Sequence, residues 1–462
     1  WLHDNERLYE RYVYQNGNYR CLSHCSPDSI LEVGRIPVHL EKPNSVFYLK
    51  KAYLHISMLS LNLTLFLEMI KMKDFETTRW PIVLFGEGKS LETGKRFSKW
   101  GVKNVLSVYG STVYSNGLVD PILESIKAEG INVYSFVRIA TEVPDYLIED
   151  IAKAALTCSA DGILAIGGGS TMDAVKYASA YMYSEMLPMS DYLYQAPVFN
   201  FPPSGRPKLI FIPTTAGSGA EMTSAGPVFN SKTQRKSLYK YFPPVPADLA
   251  ILDPYLTLKL SPYLTITTAM DALAHAIESM TSQTRSICSD MICGQAIELI
   301  ANNLFTVMND PADINARGAM LIAANLAIGV ESKRHIGHAI TEGLGSVYHI
   351  PHGHCCALAL PPTLRYIAKV DELSQPLHLI AEKMNLPKTE FPGLTIAKEI
   401  ELLNKKFEIA LSLKELSIAY NEADISNCAA IIAADKPHLS MSVRPMNYAE
   451  AYQIMQEIYH GS

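Results

Sequence analysis

The chain has 462 residues, of which 48% are hydrophobic and 19% are charged, and its formal net charge is −6. Its length predicts roughly two to three domains, and its composition is typical of a globular enzyme with a large core. The negative net charge and the lack of a basic block in the sequence argue against a general nucleic-acid-binding surface.

The eight cysteines are scattered along the sequence and do not form a dense disulfide framework. This pattern predicts reduced, mostly buried thiols and a cytoplasmic protein. Cys21 and Cys25 lie on either side of His24, but no second pair of ligands follows them. Zinc sites usually supply a complete ligand set, so we do not expect one there.

Residues 1–71 differ in character from the rest of the chain. An apolar run at 52–70 is interrupted by His55, Asn62 and Glu68, which leaves it short of the ~20 apolar residues that a membrane span needs. We therefore expect no membrane segment here. We expect either an N-terminal extension, packed on the surface or poorly ordered, or a natural start at Met72. A targeting function is the less favoured interpretation.

Regular alternation begins after residue 72. Apolar strand patterns at 81–85, 105–109 and 131–136 alternate with helix patterns at 118–128 and 143–156. Alternating strands and helices predict a parallel sheet with helices on its faces. We assign residues 72–258 to this α/β domain.

A glycine triplet, Gly167 to Gly169, joins a predicted strand at 163–166 to a predicted helix. Glycines let the backbone approach a pyrophosphate closely, and a helix N-terminus offers free N–H groups. Ser170 is available as an N-cap. The segment lacks the GxGxxG pattern, so it indicates a different kind of dinucleotide-binding fold.

A second polar loop, with Thr214, Thr215 and Ser218, follows the predicted strand at 209–213. Hydroxyls at the carboxyl end of a strand suit a ligand's phosphate, ribose or amide, but the same residues also suit a capped helix start. One interpretation of Lys236 is that it adds a positive charge to the same cleft. The other is a solvent-exposed side chain, which is more common for lysine.

From Ser261 and Pro262, a good N-cap and first helical residue, the sequence predicts one helix after another. Helical patterns cover 269–279, 287–308 and 316–330. We therefore assign residues 259–462 to an all-helical second domain.

Metal-binding residue types are concentrated in this second half. Asp271 and His275 are four residues apart, so they share one face of a helix. His338 and His352 follow, 14 residues apart (352 − 338). Three imidazoles and a carboxylate suit Fe²⁺ or Zn²⁺. Three nearby histidines are possible substitutes: His335, His349 and His354.

Five motifs in this order resemble those of the iron-containing, group III alcohol dehydrogenases: GGGSTMD, PTTAGSGAE, LDP, MDALAHAIE and IPHGH. The resemblance covers residues 74–459. It implies a Rossmann-like dinucleotide-binding domain with a parallel sheet, followed by an all-helical metal-binding domain, together the dehydroquinate-synthase-like fold. The metal and the nicotinamide are then expected in the cleft between the two domains.

The resemblance also implies residue roles. The metal ligands are Asp271, His275, His338 and His352, and the implied catalytic residues are His352 and Glu342. The implied cofactor contacts are Gly110, Ser111, Gly168, Gly169, Ser170, Asp173, Thr214, Thr215, Ser218 and Lys236.

Three positions depart from the usual family pattern. Gly110 stands where NAD-preferring members tend to have an aspartate, and the missing carboxylate favours NADP(H) over NAD(H). Glu342 stands where many members have a histidine proposed to relay protons, and a carboxylate is able to relay protons or tune the metal indirectly. Val143 replaces a usual asparagine, which removes one cofactor contact.

The sequence therefore predicts hydride transfer between NAD(P)(H) and a small alcohol or aldehyde whose oxygen lies at a divalent metal, Fe²⁺ or Zn²⁺. We expect a homo-oligomer, a dimer or larger. Two alternatives remain: a dehydroquinate-synthase-like lyase with the same fold, and a non-catalytic binding protein. The four-ligand pattern argues against both.

Overall fold

The computed structural model describes residues 12–15, 18–21 and 81–461, with gaps at 139–142, 186, 194–196, 203–204, 240–241 and 330–332. The chain divides into two compact units, Trp1–Met72 and Lys73–Ser462. In the first unit, strands β1 (Tyr12–Gln15) and β2 (Asn18–Cys21) pair antiparallel. The remaining expectations for residues 1–71, including the apolar run at 52–70 and the segment around His24, lie outside the described residues.

The second unit contains a sheet of six parallel strands, as the sequence predicts. The strands are β3 (Ile82–Phe85), β4 (Asn104–Gly110), β5 (Asn132–Arg138), β6 (Gly162–Gly167), β7 (Lys208–Pro213), β8 (Val228–Asn230), β9 (Arg235–Ser237) and β10 (Leu249–Leu252). The order in the six-stranded sheet is β3-β10-β7-β6-β4-β5. A separate antiparallel hairpin, β8–β9, was not expected from the sequence.

Helices cover both faces of the sheet. Because alternate residues of a strand point to opposite faces, each strand contributes side chains to both helix-covered cores. On one face, Leu164 of β6 packs with Phe97 and Ile126. On the other face, Ile163 packs with Ile151. The helices of this half are α1 (Thr93–Lys99), α2 (Ser111–Ser115), α3 (Asp120–Lys127), α4 (Asp145–Thr157) and α5 (Gly169–Tyr181).

The carboxyl ends of the parallel strands meet at one edge of the sheet. Tyr109 lies opposite Ile166 and Gly167 opposite Pro213, so the segments that follow β4, β6 and β7 emerge side by side. The chain order reverses at β4, which has β5 on one side and β6 on the other. Such a reversal opens the crevice in which parallel sheets bind ligands.

Helices follow β10, and the described residues beyond it contain no further strand. Ser261 caps the first of these helices, with its Oγ accepting from the Leu264 N–H at 3.2 Å, and Pro262 is the first helical residue, as expected. The helices are α6 (Pro262–Thr281), α7 (Ile287–Asn309), α8 (Ile314–Gly329), α9 (Ile336–Tyr348), α10 (His352–Ile367), α11 (Ser374–Lys383), α12 (Pro392–Lys406), α13 (Glu422–Ala434), α14 (Lys436–Leu439) and α15 (Tyr448–His460).

Helix α7 has 23 residues and is, by length and composition alone, apolar enough to cross a membrane. It packs against α6 and α8, and Cys293, Ile297 and Leu304 on one of its faces belong to the large core of the helical half. A buried core helix meets the same length and hydropathy criteria, and these contacts are those of a core helix.

Two glycines of the loop after β7 bring the α/β half against the helical half. A Cβ on Gly217 would lie 2.8 Å from the backbone oxygen of Thr268 on α6. Gly219 has a φ of +56°, and a Cβ there would lie 2.7 Å from the Ala324 backbone oxygen on α8. Glycine is therefore needed at both positions, and the loop lies directly on the helix that carries Asp271.

Substituting Gly94 with Ala is expected to lower the free energy of unfolding by about 1–3 kcal/mol, because overpacking shifts the backbone. The added Cβ would lie 2.0 Å from the Ser125 oxygen, where α1 crosses α3. The measurement is the urea midpoint of the full chain.

Gly294→Ala in α7 is the matched control, since its Cβ would meet only Lys383 carbons at 3.8 Å. Removing a helical glycine there should stabilise the chain by about 0.5–1 kcal/mol. Equal midpoints for the two variants would contradict the close α1–α3 packing.

Candidate metal centre and cofactor cleft

The metal-binding residue types of α6 lie at the centre of the helical half. The side chains of Asp271 and His275 are 7% and 3% exposed, and His275 Nε2 is 3.6 Å from Asp271 Oδ1. The i, i+4 spacing on one helix produces this contact, as expected. Burying two polar side chains together is costly unless a partner satisfies them.

Two more imidazoles reach the same carboxylate oxygen from other helices. Asp271 Oδ1 is 3.9 Å from His338 Nε2, on α9, and 3.5 Å from His352 Nε2, at the start of α10. The rings of His275 and His338 stack with centroids 4.7 Å apart. The structure therefore brings all four predicted ligands to one point.

The donor atoms fit a divalent metal. His338 Nε2 is buried and has no hydrogen-bond partner among the described residues, although such atoms are normally satisfied. The other ring nitrogen, Nδ1, hydrogen-bonds to the carboxylate of Glu278. This bond holds the proton on Nδ1 and turns the Nε2 lone pair towards Asp271, which is the usual arrangement of a metal-binding histidine.

The protonation states also suit metal binding. Burial lowers the pKa of His275 to about 3, against the opposing effect of Asp271. Burial likewise lowers the pKa of His338. Both imidazoles are consequently neutral at pH 7, the form in which histidine binds metals. Burial alone would raise the pKa of Asp271, but the neighbouring His275 and His352 hold it below its ordinary value.

Of the three alternative histidines, two are hydrogen-bonded to other groups and one is exposed. His335 Nε2 lies 2.9 Å from Thr281 Oγ1, and its Nδ1 accepts from the Ile336 N–H. His354 has partners on both ring nitrogens, the Tyr263 hydroxyl at 3.1 Å and the Ala410 carbonyl at 3.2 Å. His349 is an exposed residue at the end of α9. These three histidines are therefore not needed as ligands.

Two residues of the site were missed by the sequence reasoning. Glu278 is fully buried, and it accepts from the His338 backbone N–H at 3.2 Å as well as from the ring. Its spacing, seven residues after Asp271 on the same helix, was an available signal. Cys356 lies four residues after His352, and its sulfur is 3.6 Å from Asp271 Oδ1. The sequence predicted only a reduced, mostly buried thiol there.

The site is most open at His352. The His352 side chain is 38% exposed, compared with 1% for His338. Burial lowers the pKa of His352, but Asp271 and, more weakly, Glu342 raise it above its ordinary value, against an opposing effect of Lys236. Glu342 and the β9 residue Lys236 are therefore both close enough to act electrostatically at this opening.

The two predicted phosphate loops meet at the carboxyl edge of the sheet. Thr214 N–H donates to the Gly167 carbonyl at 2.9 Å. A Cβ on Gly168 would lie 3.5 Å from Thr215 Oγ1, and one on Gly169 would lie 2.5 Å from Ser218 Oγ. Thr215 and Ser218 therefore adjoin the glycine turn at the N-terminus of α5.

The structure settles two details of these loops that the sequence left open or predicted otherwise. Gly168 is the N-cap of α5, with extended backbone (φ −81°, ψ −177°), so Ser170 lies within the first turn and is not the cap. The loop after β7 forms only a short 3₁₀ turn, Ala220–Met222, and does not begin a longer helix. The backbone N–H groups of the first turn of α5 thus face the sheet edge without a capping side chain.

The remaining predicted cofactor residues take different positions. Gly110 ends β4, and Ser111 begins α2 beside it. Asp173 lies one turn into α5, where its carboxylate accepts from buried Lys176 at 2.7 Å. Val143, the residue in place of the usual asparagine, is buried in the core and has no polar side chain to offer.

Comparison with known proteins agrees with this geometry. Residues 81–254 match the family model for iron-containing alcohol dehydrogenase, and residues 265–459 match that for the C-terminal region of the same family. A solved structure of an alcohol dehydrogenase from Oenococcus oeni is similar to this chain, with a TM-score of 0.75 and 26% identity, covering 84% of this chain and all of that one.

Curated relatives include an NADPH-dependent butanol dehydrogenase of Clostridium saccharobutylicum, 30% identical over 82% of this chain and 97% of its own. A choline dehydrogenase of Bacillus subtilis is 32% identical over 66% of this chain and 76% of its own. These relatives are alcohol dehydrogenases, so the lyase alternative is not favoured. The chain belongs to the iron-containing alcohol dehydrogenase family.

Proposed function

We propose that this alcohol dehydrogenase prefers NADP(H), uses Fe²⁺ or Zn²⁺, and interconverts a small alcohol and its aldehyde. The observation that supports this most is the set of donors around Asp271 Oδ1, in which His338 Nε2 is buried and has no partner among the described residues. Such a set is suited to a divalent cation. The metal, when bound, supplies Lewis-acid polarisation of the substrate oxygen.

The protein's own residues position the reactants. We propose that Asp271, His275, His338 and His352 hold the metal, and that Glu278 keeps His338 in the correct tautomer. The substrate enters beside His352, the exposed member of the set. The α6 residue Thr268, one turn before Asp271, contacts the loop after β7. The cofactor loop and the metal helix are therefore held in one rigid arrangement.

The cofactor site is formed by backbone groups. We propose that Gly168, Gly169 and Ser170 bind the pyrophosphate through backbone N–H groups at the start of α5. Thr214, Thr215, Ser218 and Lys236 then contact the rest of the dinucleotide. Asp173 acts more indirectly: it pairs with Lys176 of the same helix, and Lys176 also donates to Thr223 Oγ1 at 2.7 Å, which ties α5 to the loop after β7.

The preference for NADP(H) rests on Gly110. Its φ of −81° is ordinary, and a Cβ there would meet nothing within 4 Å. Space for a side chain exists, yet no carboxylate is present to repel a 2′-phosphate or bind the ribose hydroxyls. The butanol dehydrogenase relative named NADPH-dependent is consistent with this preference.

Two broader properties belong to the same proposal. The six cysteines from Cys158 to Cys428 are free, which supports a cytoplasmic location. Strand β3 lies at the sheet edge and exposes Ile82 and Phe85, which supports a homo-oligomer.

The activity is tested with metal-stripped protein reconstituted with Fe²⁺ or Zn²⁺ and assayed on alcohols and aldehydes with NADPH and NADH. We expect turnover only after metal is restored. The kcat/KM with NADPH should exceed that with NADH by about tenfold, or 1.4 kcal/mol. If the purified protein bound neither metal nor dinucleotide, that result would refute the proposed enzyme activity and favour a non-catalytic protein.

Gly110→Asp is expected to reverse the coenzyme preference. The new carboxylate repels the 2′-phosphate of NADPH and can accept hydrogen bonds from the ribose of NADH. The kcat/KM with NADPH should fall by roughly 10- to 100-fold while that with NADH rises. Gly110→Asn is the matched neutral control and should produce a much smaller change. Equal effects of Asp and Asn would show that the charge is not responsible.

Glu342→Gln is expected to keep the metal and to lower kcat by about 10²-fold, if the carboxylate carries protons. Glu342 lies one helical turn after His338 and acts electrostatically on His352. Metal content, measured by elemental analysis, separates the two possible roles. A loss of metal in this variant would identify Glu342 as a ligand and contradict the proton-transfer role.

A further inference from the structure

Arg334 is a positively charged residue beside the candidate metal centre. It lies four residues before His338 (338 − 334), immediately ahead of α9. The backbone N–H of the preceding Lys333 donates to Ser279 Oγ at 3.4 Å, and Ser279 Oγ donates to the His275 carbonyl at 2.7 Å. The segment that carries Arg334 is therefore held against α6, one turn beyond His275.

Arg334 is partly buried and unpaired. No hydrogen bond or ion pair joins its side chain to the part of the chain that the structure describes. Partial burial of a cation without a counter-ion is unfavourable, and the guanidinium group is built to bind carboxylates and similar anions. Five other arginines are paired with carboxylates: Arg96, Arg206, Arg285, Arg365 and Arg444.

The charge of Arg334 reaches the metal-binding side chains. Burial is the main cause that lowers the pKa of His275 and of His338, and Arg334 adds a smaller decrease to each. Burial raises the pKa of Asp435, but the hydrogen bond from His438 and, more weakly, Arg334 bring it below its ordinary value. Arg334 is therefore near both the candidate ligands and Asp435.

His438, on α14, lies beside the same ligands. Its ring centroid is 6.1 Å from that of His338. The carboxylate of Asp435 is already occupied by His438, since one oxygen accepts from the ring Nδ1 at 2.6 Å and the other from the backbone N–H at 3.2 Å. Asp435 thus orients His438 and does not serve as the counter-ion of Arg334.

We propose that Arg334 binds an anionic group of the substrate, so that the preferred substrates are hydroxy acids and the corresponding oxo acids. This inference rests on the proposed alcohol dehydrogenase activity and narrows its substrate class. The substrate carboxylate pairs with the guanidinium in the geometry that arginine favours, while the reacting oxygen lies at the metal centre. His438 borders the space beside His338.

The reaction itself is unchanged by this assignment. The alcohol carbon loses a hydride to the oxidised dinucleotide and the hydroxyl loses a proton, which yields the oxo acid and the reduced dinucleotide. The substrate carboxylate takes no part in these steps. Arg334 acts only by binding and orienting the substrate, which places the carbon that loses the hydride.

A phosphate of the dinucleotide is the other anion expected in the cleft. The proposed pyrophosphate site is at the start of α5 in the α/β half. Arg334 instead precedes α9 in the helical half, beside the metal-binding histidines. This position favours the substrate as the partner of Arg334.

The test compares kcat/KM of the metal-loaded full chain for a homologous series of ω-hydroxy carboxylates and for their uncharged methyl esters. We expect the best carboxylate to exceed its ester by about 10- to 100-fold, the value of a charge-assisted contact. In Arg334→Gln this advantage should disappear, mainly through a higher KM for the carboxylate. Turnover of the esters and metal content should stay unchanged, and Arg334→Lys should restore part of the advantage.

Lys436→Gln is the matched control. It removes one positive charge from an exposed position on α14, next to Asp435. The ratio of kcat/KM for carboxylate and ester should remain that of the unaltered chain. An equal loss in Lys436→Gln and Arg334→Gln would show that only the general charge of this region matters and would contradict a direct contact with Arg334.

Other results would also overturn the proposal. Equal kcat/KM for carboxylates and esters in the active, unaltered chain would remove the anionic substrate and leave the alcohol dehydrogenase activity intact. A higher KM for NADPH in Arg334→Gln, with an unchanged carboxylate-to-ester ratio, would assign Arg334 to the cofactor. Metal-loaded protein that oxidises none of these alcohols and no simple alcohol would refute the proposed function as well.

Discussion

Polar side chains buried at a single point are the constraint on which this structure depends. Asp271 Oδ1 has imidazole nitrogens from three histidines at 3.5–3.9 Å, on three different helices. Placing a carboxylate and several imidazoles in a protein interior is unfavourable without a compensating charge or hydrogen bonds. His338 Nε2 has neither among the described residues. The mutual positions of α6, α9 and α10 make sense as the enclosure of a cation.

A layer of hydrogen bonds behind the ligands makes this enclosure specific. Glu278, fully buried, accepts from both the ring and the backbone of His338 and lies 3.5 Å from His335 Nδ1. His335 is in turn held by Thr281. The partners of these two histidines therefore separate their roles: His338 keeps one ring nitrogen for a metal, whereas both ring nitrogens of His335 are hydrogen-bonded.

The loop after β7 lies between the candidate metal site and the proposed cofactor site. On one side Thr215 and Ser218 touch the glycine turn before α5, and on the other Gly217 and Gly219 lie against α6 and α8. A larger residue at either glycine would separate the two halves. Hydride transfer needs the two reacting groups held close together in a defined orientation, and this loop provides that spacing through backbone contacts.

The sequence by itself determined the family, the fold class and most strands and helices, because these depend on local periodicity and on short motifs with strong chemical signatures. It also placed Asp271 and His275 together, since helical spacing alone aligns them. Which of the remaining histidines belong to the site was decided by tertiary structure. His354 is satisfied by Tyr263 and Ala410, 91 and 56 residues away, and no local pattern encodes such partners. The same reason hid Glu278 and Cys356: each carries a spacing that is visible in the sequence, but only packing between helices shows that its side chain reaches the metal centre.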